Sequence, residues 1–195
     1  MTAPGDGSGH STTGTLAAAL RLFRRHAPAA FLASVVATAV NTVPDVLRQV
    51  LVWDDPRLWA ALAVDVVGFL TALVAQLWVT GALAGLLDGG RLTPAGALRR
   101  GAALAVRAVG SAPGTVLAGV VTGGAVSALL TLPVSIAALG AGRVLGPLDS
   151  PEVGAFAVAT VSDVVASAAT LPYLAFVLVL VATGFRAGRP GTSRA

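Results

Sequence analysis

From Leu58 to Leu87 the chain carries a single charged side chain, Asp65; Pro113 to Leu139 carries none, and Val153 to Phe185 carries only Asp163. Stretches so poor in charge cannot form a water-facing surface. About 20 apolar residues on a helix match the roughly 30 Å of hydrocarbon in a bilayer. All three stretches exceed that length, so tilted or protruding helices are expected. A shorter apolar run, from about Pro28 to Val43, precedes them. The whole chain agrees, with 55% hydrophobic and 11% charged residues, where a soluble domain holds about 25% charged. The sequence therefore predicts an all-α integral membrane protein with four transmembrane helices.

The arginines orient those helices. Arg21, Arg24 and Arg25 precede the first span, and Arg91, Arg99, Arg100 and Arg107 separate the second from the third. Arg186, Arg189 and Arg194 follow the fourth. Only Arg48, Arg57 and Arg143 fall on the other side, together with Asp45, Asp54, Asp55, Asp149 and Glu152. The positive-inside rule then puts both termini in the cytoplasm, with Trp53 and Trp59 as anchors at the outer interface. All 13 basic residues are arginine, a usage pointing to a GC-rich bacterial genome and so to a bacterial cytoplasmic membrane. Residues 1–14 are rich in Gly, Ser and Thr and read as a disordered tail without the form of a cleaved signal. Residues 15–189 form the transmembrane domain, and 190–195 a second cytoplasmic tail.

Counting excludes much chemistry. With no cysteine there is no disulfide, thiolate metal site or thiol nucleophile. With no lysine there is no Walker-type phosphate loop and no Schiff base. Both histidines, His10 and His26, lie before the spans, which removes a core zinc site or catalytic triad. No cofactor, metal or nucleic acid is implied.

What remains is a short set of candidates. A carboxylate within a span is costly and by default a functional suspect, which singles out Asp65 and Asp163. The alternative makes each an outer-interface carboxylate wetted by head-group water. Gln76, in mid-span, is an interhelical hydrogen-bonding residue or a substrate contact. Gly81 and Gly85 in the second span, and Gly119 and Gly123 in the third, form small-residue ridges for close helix packing, within one bundle or in a homodimer. Pro172 should bend or loosen the fourth span.

Two segments outside the spans look amphipathic. In the first, Leu16, Leu20 and Phe23 recur at helical spacing while Arg21, Arg24 and Arg25 point elsewhere. In the second, Thr93 is an expected N-cap with Pro94 at the first helical position. Leu98, Ala105 and Val109 share one face there, and Arg100 and Arg107 another. Such helices lie in the inner interface, where Arg21, Arg24, Arg25, Arg99, Arg100 and Arg107 meet anionic head groups.

The order of features repeats. Residues 15–91 read amphipathic helix, Ala27-Pro28, span, outer loop, Asp65-Val66-Val67, span, Arg91; residues 93–189 read the same way through Ala112-Pro113 and Asp163-Val164-Val165 to Arg189. Asp65 to Arg91 and Asp163 to Arg189 are both 26 positions, about 39 Å of helix. Both halves begin and end in the cytoplasm, so the repeats would be parallel, and both aspartates would sit near the outer surface.

An Arg-bearing amphipathic helix, a long span and then a segment of the form Leu92-Thr93-Pro94-Ala95-x-Ala97-Leu98-Arg99 resembles bacterial polytopic proteins related to the membrane domain of glycerophosphodiester phosphodiesterases. The resemblance runs over residues 15–185 and rests on pattern. It implies a membrane role without carrying over any catalytic residue, because the phosphodiesterase chemistry belongs to a separate soluble domain. Two functional readings follow. One is a non-enzymatic accessory or structural membrane component, with a membrane protein or a second copy as partner. The other is a small proton- or cation-coupled transporter using Asp65 and Asp163.

Overall fold

The computed structural model describes residues 11–52, 58–89, 91–139 and 153–184. Every regular element among them is an α-helix: α1 (Thr12–Arg25), α2 (Ala27–Val52), α3 (Leu58–Gly89), α4 (Ala97–Ser111), α5 (Pro113–Leu139) and α6 (Val153–Thr183). Trp53, Asp54, Asp55, Arg57, Arg143, Asp149, Glu152, Arg186, Arg189 and Arg194 lie outside the described residues. Helices α3, α5 and α6 are each long and apolar enough to cross a membrane. Helix α2 meets that standard only jointly with α1, from which it is bent by 92°. Among the described residues there are thus three candidate spans, or four with the bent pair.

His26 makes the bend. Its N–H closes α1 on the carbonyls of Leu22 and Phe23, at 3.0 and 3.2 Å, and its own carbonyl accepts from Ala30 to open α2. The rings of Phe23 and Phe31 meet across the corner with centroids 5.9 Å apart. Helix α1 begins inside the expected tail because Ser11 caps it, its Oγ accepting from Gly14 N at 3.1 Å. Helix α2 runs on to Val52, so Asp45 and Arg48 stand on helix rather than in the expected loop.

Helix α6 is the centre of the bundle and packs against each of the other five. Its Ala175, Phe176, Val177 and Leu180 close a core with Ala18 and Ala19 of α1, Ala30, Ala33 and Ala37 of α2, and Ala75, Val79, Leu83 and Leu86 of α3. Its Leu178 and Ala182 close a second core with Ala108 of α4 and Val116 of α5. The facing residues are mostly alanine. In lipid the hydrocarbon is as apolar as leucine, so helices associate through close van der Waals fit, which small side chains permit.

The tightest seam joins α3 to α4. A Cβ at Gly81 would overlap the Ala97 carbonyl and stand 2.7 Å from Gly101 N, and a Cβ at Gly101 would overlap the Leu77 carbonyl. One turn on, a Cβ at Gly85 would overlap Thr93 Oγ1 and lie 2.8 Å from the Arg91 carbonyl oxygen. This seam displaces the expected cap. Thr93 lies against α3, where its N–H donates to the Ala82 carbonyl at 3.4 Å, and α4 starts four residues later behind Gly96. Gly96 has φ 67°, the left-handed region that glycine enters without steric cost.

The side of α4 turned to the protein is Ala97, Gly101 and Ala108, whereas Leu98 and Val109 face outward. The packed side is therefore a third face, separate from both the leucine face and the arginine face. Gly101→Ala is expected to force α4 off α3, costing about 1–3 kcal/mol as overpacking does. A Cβ at Gly110 on the same helix has nothing within 4 Å, so Gly110→Ala should be neutral or stabilising by about 0.5–1 kcal/mol. Thermal unfolding midpoints in detergent would check both.

Candidate functional site

Two polar side chains inside the bundle, Gln76 and Asn41, take part in bonds between helices. Gln76 is buried, and its Nε2 donates across to the Leu171 carbonyl of α6 and along its own helix to Thr80 Oγ1, both at 3.3 Å. Thr80 donates back to the Gln76 carbonyl at 2.7 Å. The bond to α6 lands one residue before Pro172, which lies inside that helix and is buried. Because proline lacks an N–H, the Ala168 carbonyl one turn earlier loses its usual donor. The seam between α3 and α6 thus concentrates its polar atoms around the proline.

A second polar clasp joins α2 to α3. Thr71 Oγ1 lies 2.8 Å from Asn41 Oδ1 and 2.9 Å from the Gly68 carbonyl, to either of which it donates. On the same α2, Ser34 and Thr38 are buried, and neither hydroxyl has a hydrogen-bond partner among the described residues. These four residues did not stand out by residue type. Their signal was spacing, since Ser34, Thr38 and Asn41 recur at helical intervals within the first apolar run.

Asp163 is not brought into that interior. Asp163 is exposed on α6, between the exposed Val161 and Val165. Asp65 stands early in α3. No cluster of three or more potential metal ligands occurs among the described residues.

The glycine ridges both face into this bundle. Gly81 and Gly85 meet α4 and the segment before it, while a Cβ at Gly119 would come within 3.0 Å of Val177 Cγ1 and one at Gly123 within 3.9 Å of Tyr173 Cδ1. The arginines divide. Arg21, Arg24, Arg25, Arg99 and Arg107 are exposed, but Arg100 is half-buried. Its Nη1 donates to the Gly81 carbonyl at 2.8 Å and to the Thr93 carbonyl at 3.3 Å, and its Nη2 to the Ala95 carbonyl at 3.2 Å. One guanidinium fork therefore pins the entry of α4 onto α3, across the Gly81–Gly101 contact.

A lateral crevice opens between α1, α5 and α6. It has a volume of about 440 Å³ and lies between Leu16, Leu20 and Phe23 of α1, Val126 of α5, and Thr170 and Tyr173 of α6. Thr12 Oγ1 and Thr115 Oγ1 approach to 3.2 Å and join the start of α1 to the start of α5. No family model, curated protein or solved structure matches the chain.

Arg100 supplies the sharpest test of these placements. Hydrogen bonds to a charged group contribute about 1.5–3 kcal/mol, and a lysine point charge cannot reproduce the two-armed fork. Arg100→Lys and Arg100→Gln should therefore lower the unfolding midpoint to a similar extent. Arg99→Gln, on the exposed side, should stay within about 0.5 kcal/mol of the parent.

Proposed function

We propose that the chain is a non-enzymatic multi-pass component of a bacterial cytoplasmic membrane, an accessory or structural protein with both termini in the cytoplasm. In this reading it is built from two parallel repeats, with α1 and α4 lying along the inner interface. The packing supports the repeat. In each half the amphipathic helix rests on the long helix of the other half, α1 on α6 and α4 on α3, while α2 rests on α3 and α5 on α6. Gln76 and Leu171, joined by a hydrogen bond, are 95 residues apart, within one turn of the 98 that separate Asp65 from Asp163. The copies also differ. Helix α2 reaches α6, whereas α5 does not reach α3 among the described residues.

One observation carries the accessory reading: Gln76 and Asn41 are engaged in bonds between helices, while Asp163 is exposed. A coupled transporter needs its carboxylates along a shared internal path, and Asp163 stands exposed on α6. Around it, Val158, Val161 and Val165 of α6 and Leu129, Leu130 and Ile136 of α5 are exposed. A lone carboxylate on such a surface is stabilised by head-group water or by a donor on a neighbouring span. The accessory reading assigns it to the neighbouring span. The resemblance to the membrane domain of glycerophosphodiester phosphodiesterases fits the same role, a membrane part whose chemistry lies elsewhere.

The test is co-purification after mild detergent extraction. The chain should bring down a membrane partner, and Asp163→Asn should reduce the recovered partner severalfold without changing expression or membrane insertion. A chain that repeatedly comes out alone and monomeric would contradict the accessory role.

A further inference from the structure

We infer that the crevice between α1, α5 and α6 is a binding site for one anionic phospholipid, with an acyl chain in the crevice and the phosphate on Arg21 and Arg24. The inference rests on the multi-pass reading above, and in particular on α5 and α6 being spans.

The first support is position. Ala18 and Ala19 of α1 are buried in the core that holds Phe176, Val177 and Leu180 of α6. The crevice reaches Thr170 and Tyr173, one to two turns further from the α6 C-terminus. The cavity therefore lies on the bilayer side of α1, between helices that hydrocarbon would surround. An opening of about 440 Å³ there falls within the range of roughly 300–1,000 Å³ typical of ligand pockets. Its α1 wall is Leu16, Leu20 and Phe23, which suits a chain of methylenes and offers no charge to it.

The second support is charge at the end of that wall. Arg24 follows Leu20 by one turn and Arg21 follows Ala17 by one turn, and both Leu20 and Ala17 line the crevice. Residues four apart on a helix are neighbours along one row, so the two apolar rows of the wall each end in a guanidinium. Both arginines are exposed. A guanidinium pairs with phosphate through a two-armed contact, and two of them complement the charge of an anionic head group.

A built-in comparison separates this crevice from an ordinary lipid-facing groove. A groove of about 400 Å³ between α2 and α3 is equally apolar, lined by Val40, Leu70 and Trp78 among others; neither wall holds a charged side chain, but no residue lining this groove has an arginine four positions along its helix. It can accept any hydrocarbon. Of the two, the α1 crevice is the one with cations one turn beyond its wall, placed to distinguish head groups.

Two variants test the parts separately. Arg21→Gln with Arg24→Gln removes the head-group contact, and Val126→Trp fills the crevice from the α5 side. Arg99→Gln with Arg107→Gln on α4 is the charge control. Native mass spectrometry of the detergent-solubilised full chain, titrated with phosphatidylglycerol or phosphatidylcholine, reads bound lipid directly. The parent chain should retain one phosphatidylglycerol at least tenfold more strongly than phosphatidylcholine. The α1 double variant should lose that preference, Val126→Trp should lose the bound lipid, and the α4 control should match the parent.

Equal retention of the two lipids by the parent chain would overturn the inference. So would phosphatidylglycerol retention that survives Val126→Trp, which would mean surface charge alone. Circular dichroism shows whether Val126→Trp is folded. If it is not, Leu20→Trp fills the same space from α1 and decides instead. A chain that stays in the membrane fraction after an alkaline wash but shows no lipid preference would remove this inference alone. A chain that washes off would remove the membrane reading itself.

Discussion

The bundle depends on how closely backbones can approach where no aqueous hydrophobic effect presses them together. Within lipid, exchanging a leucine–lipid contact for a leucine–leucine contact gains little, and association rests on close van der Waals contact and interhelical hydrogen bonds. Gly81 and Gly101 meet this requirement most fully, each occupying space that a Cβ on the other helix would need. Alanines 18, 19, 30, 33, 37, 75 and 175 extend the same solution around α6. Arg100 then adds directionality. Its fork on three carbonyls fixes where along α3 the short helix α4 docks, which smooth small-residue surfaces alone leave undetermined.

The α-helical class and the three longest apolar spans were legible because hydropathy needs only composition over a window. Pro113–Leu139 forms one helix over the very residues without a charge. The bend at His26 was half legible, since Ala27-Pro28 marked a helix start but gave no angle. The cap of α4 was misread. Thr93-Pro94 has the local chemistry of a helix start, yet a long-range contact with Gly85 takes Thr93, and tertiary packing overrides a local preference of about 1 kcal/mol. The third face of α4 escaped notice for a related reason. Ala97, Gly101 and Ala108 carry almost no hydrophobic signal, and their importance lies in what they lack.

Charge is used in two ways by residues that look alike in sequence. Arg99 and Arg100 are adjacent, but one is exposed and the other holds backbone carbonyls. A rotation of about 100° along the helix separates a surface role from a structural one, and only the position of α3 decides which is which. The same holds for the polar residues of the spans. Gln76 and Asn41 are directed at neighbouring helices, while Asp163 is exposed.

The bundle stands or falls with α1 folding back from the start of α2 onto the far half of the chain. Because the natural sequence has no cysteine, a single engineered pair reports on it without background. Thr12→Cys with Thr115→Cys replaces two hydroxyls that lie 3.2 Å apart, and mild oxidation of membranes holding the double variant should give an intramolecular disulfide. It would be seen as a monomer of altered gel mobility that reverts on reduction. Oxidation that yields only cross-linked dimers, or no cross-link at all, would place α1 elsewhere and contradict the packing from which the bundle, the crevice and the proposed role are built.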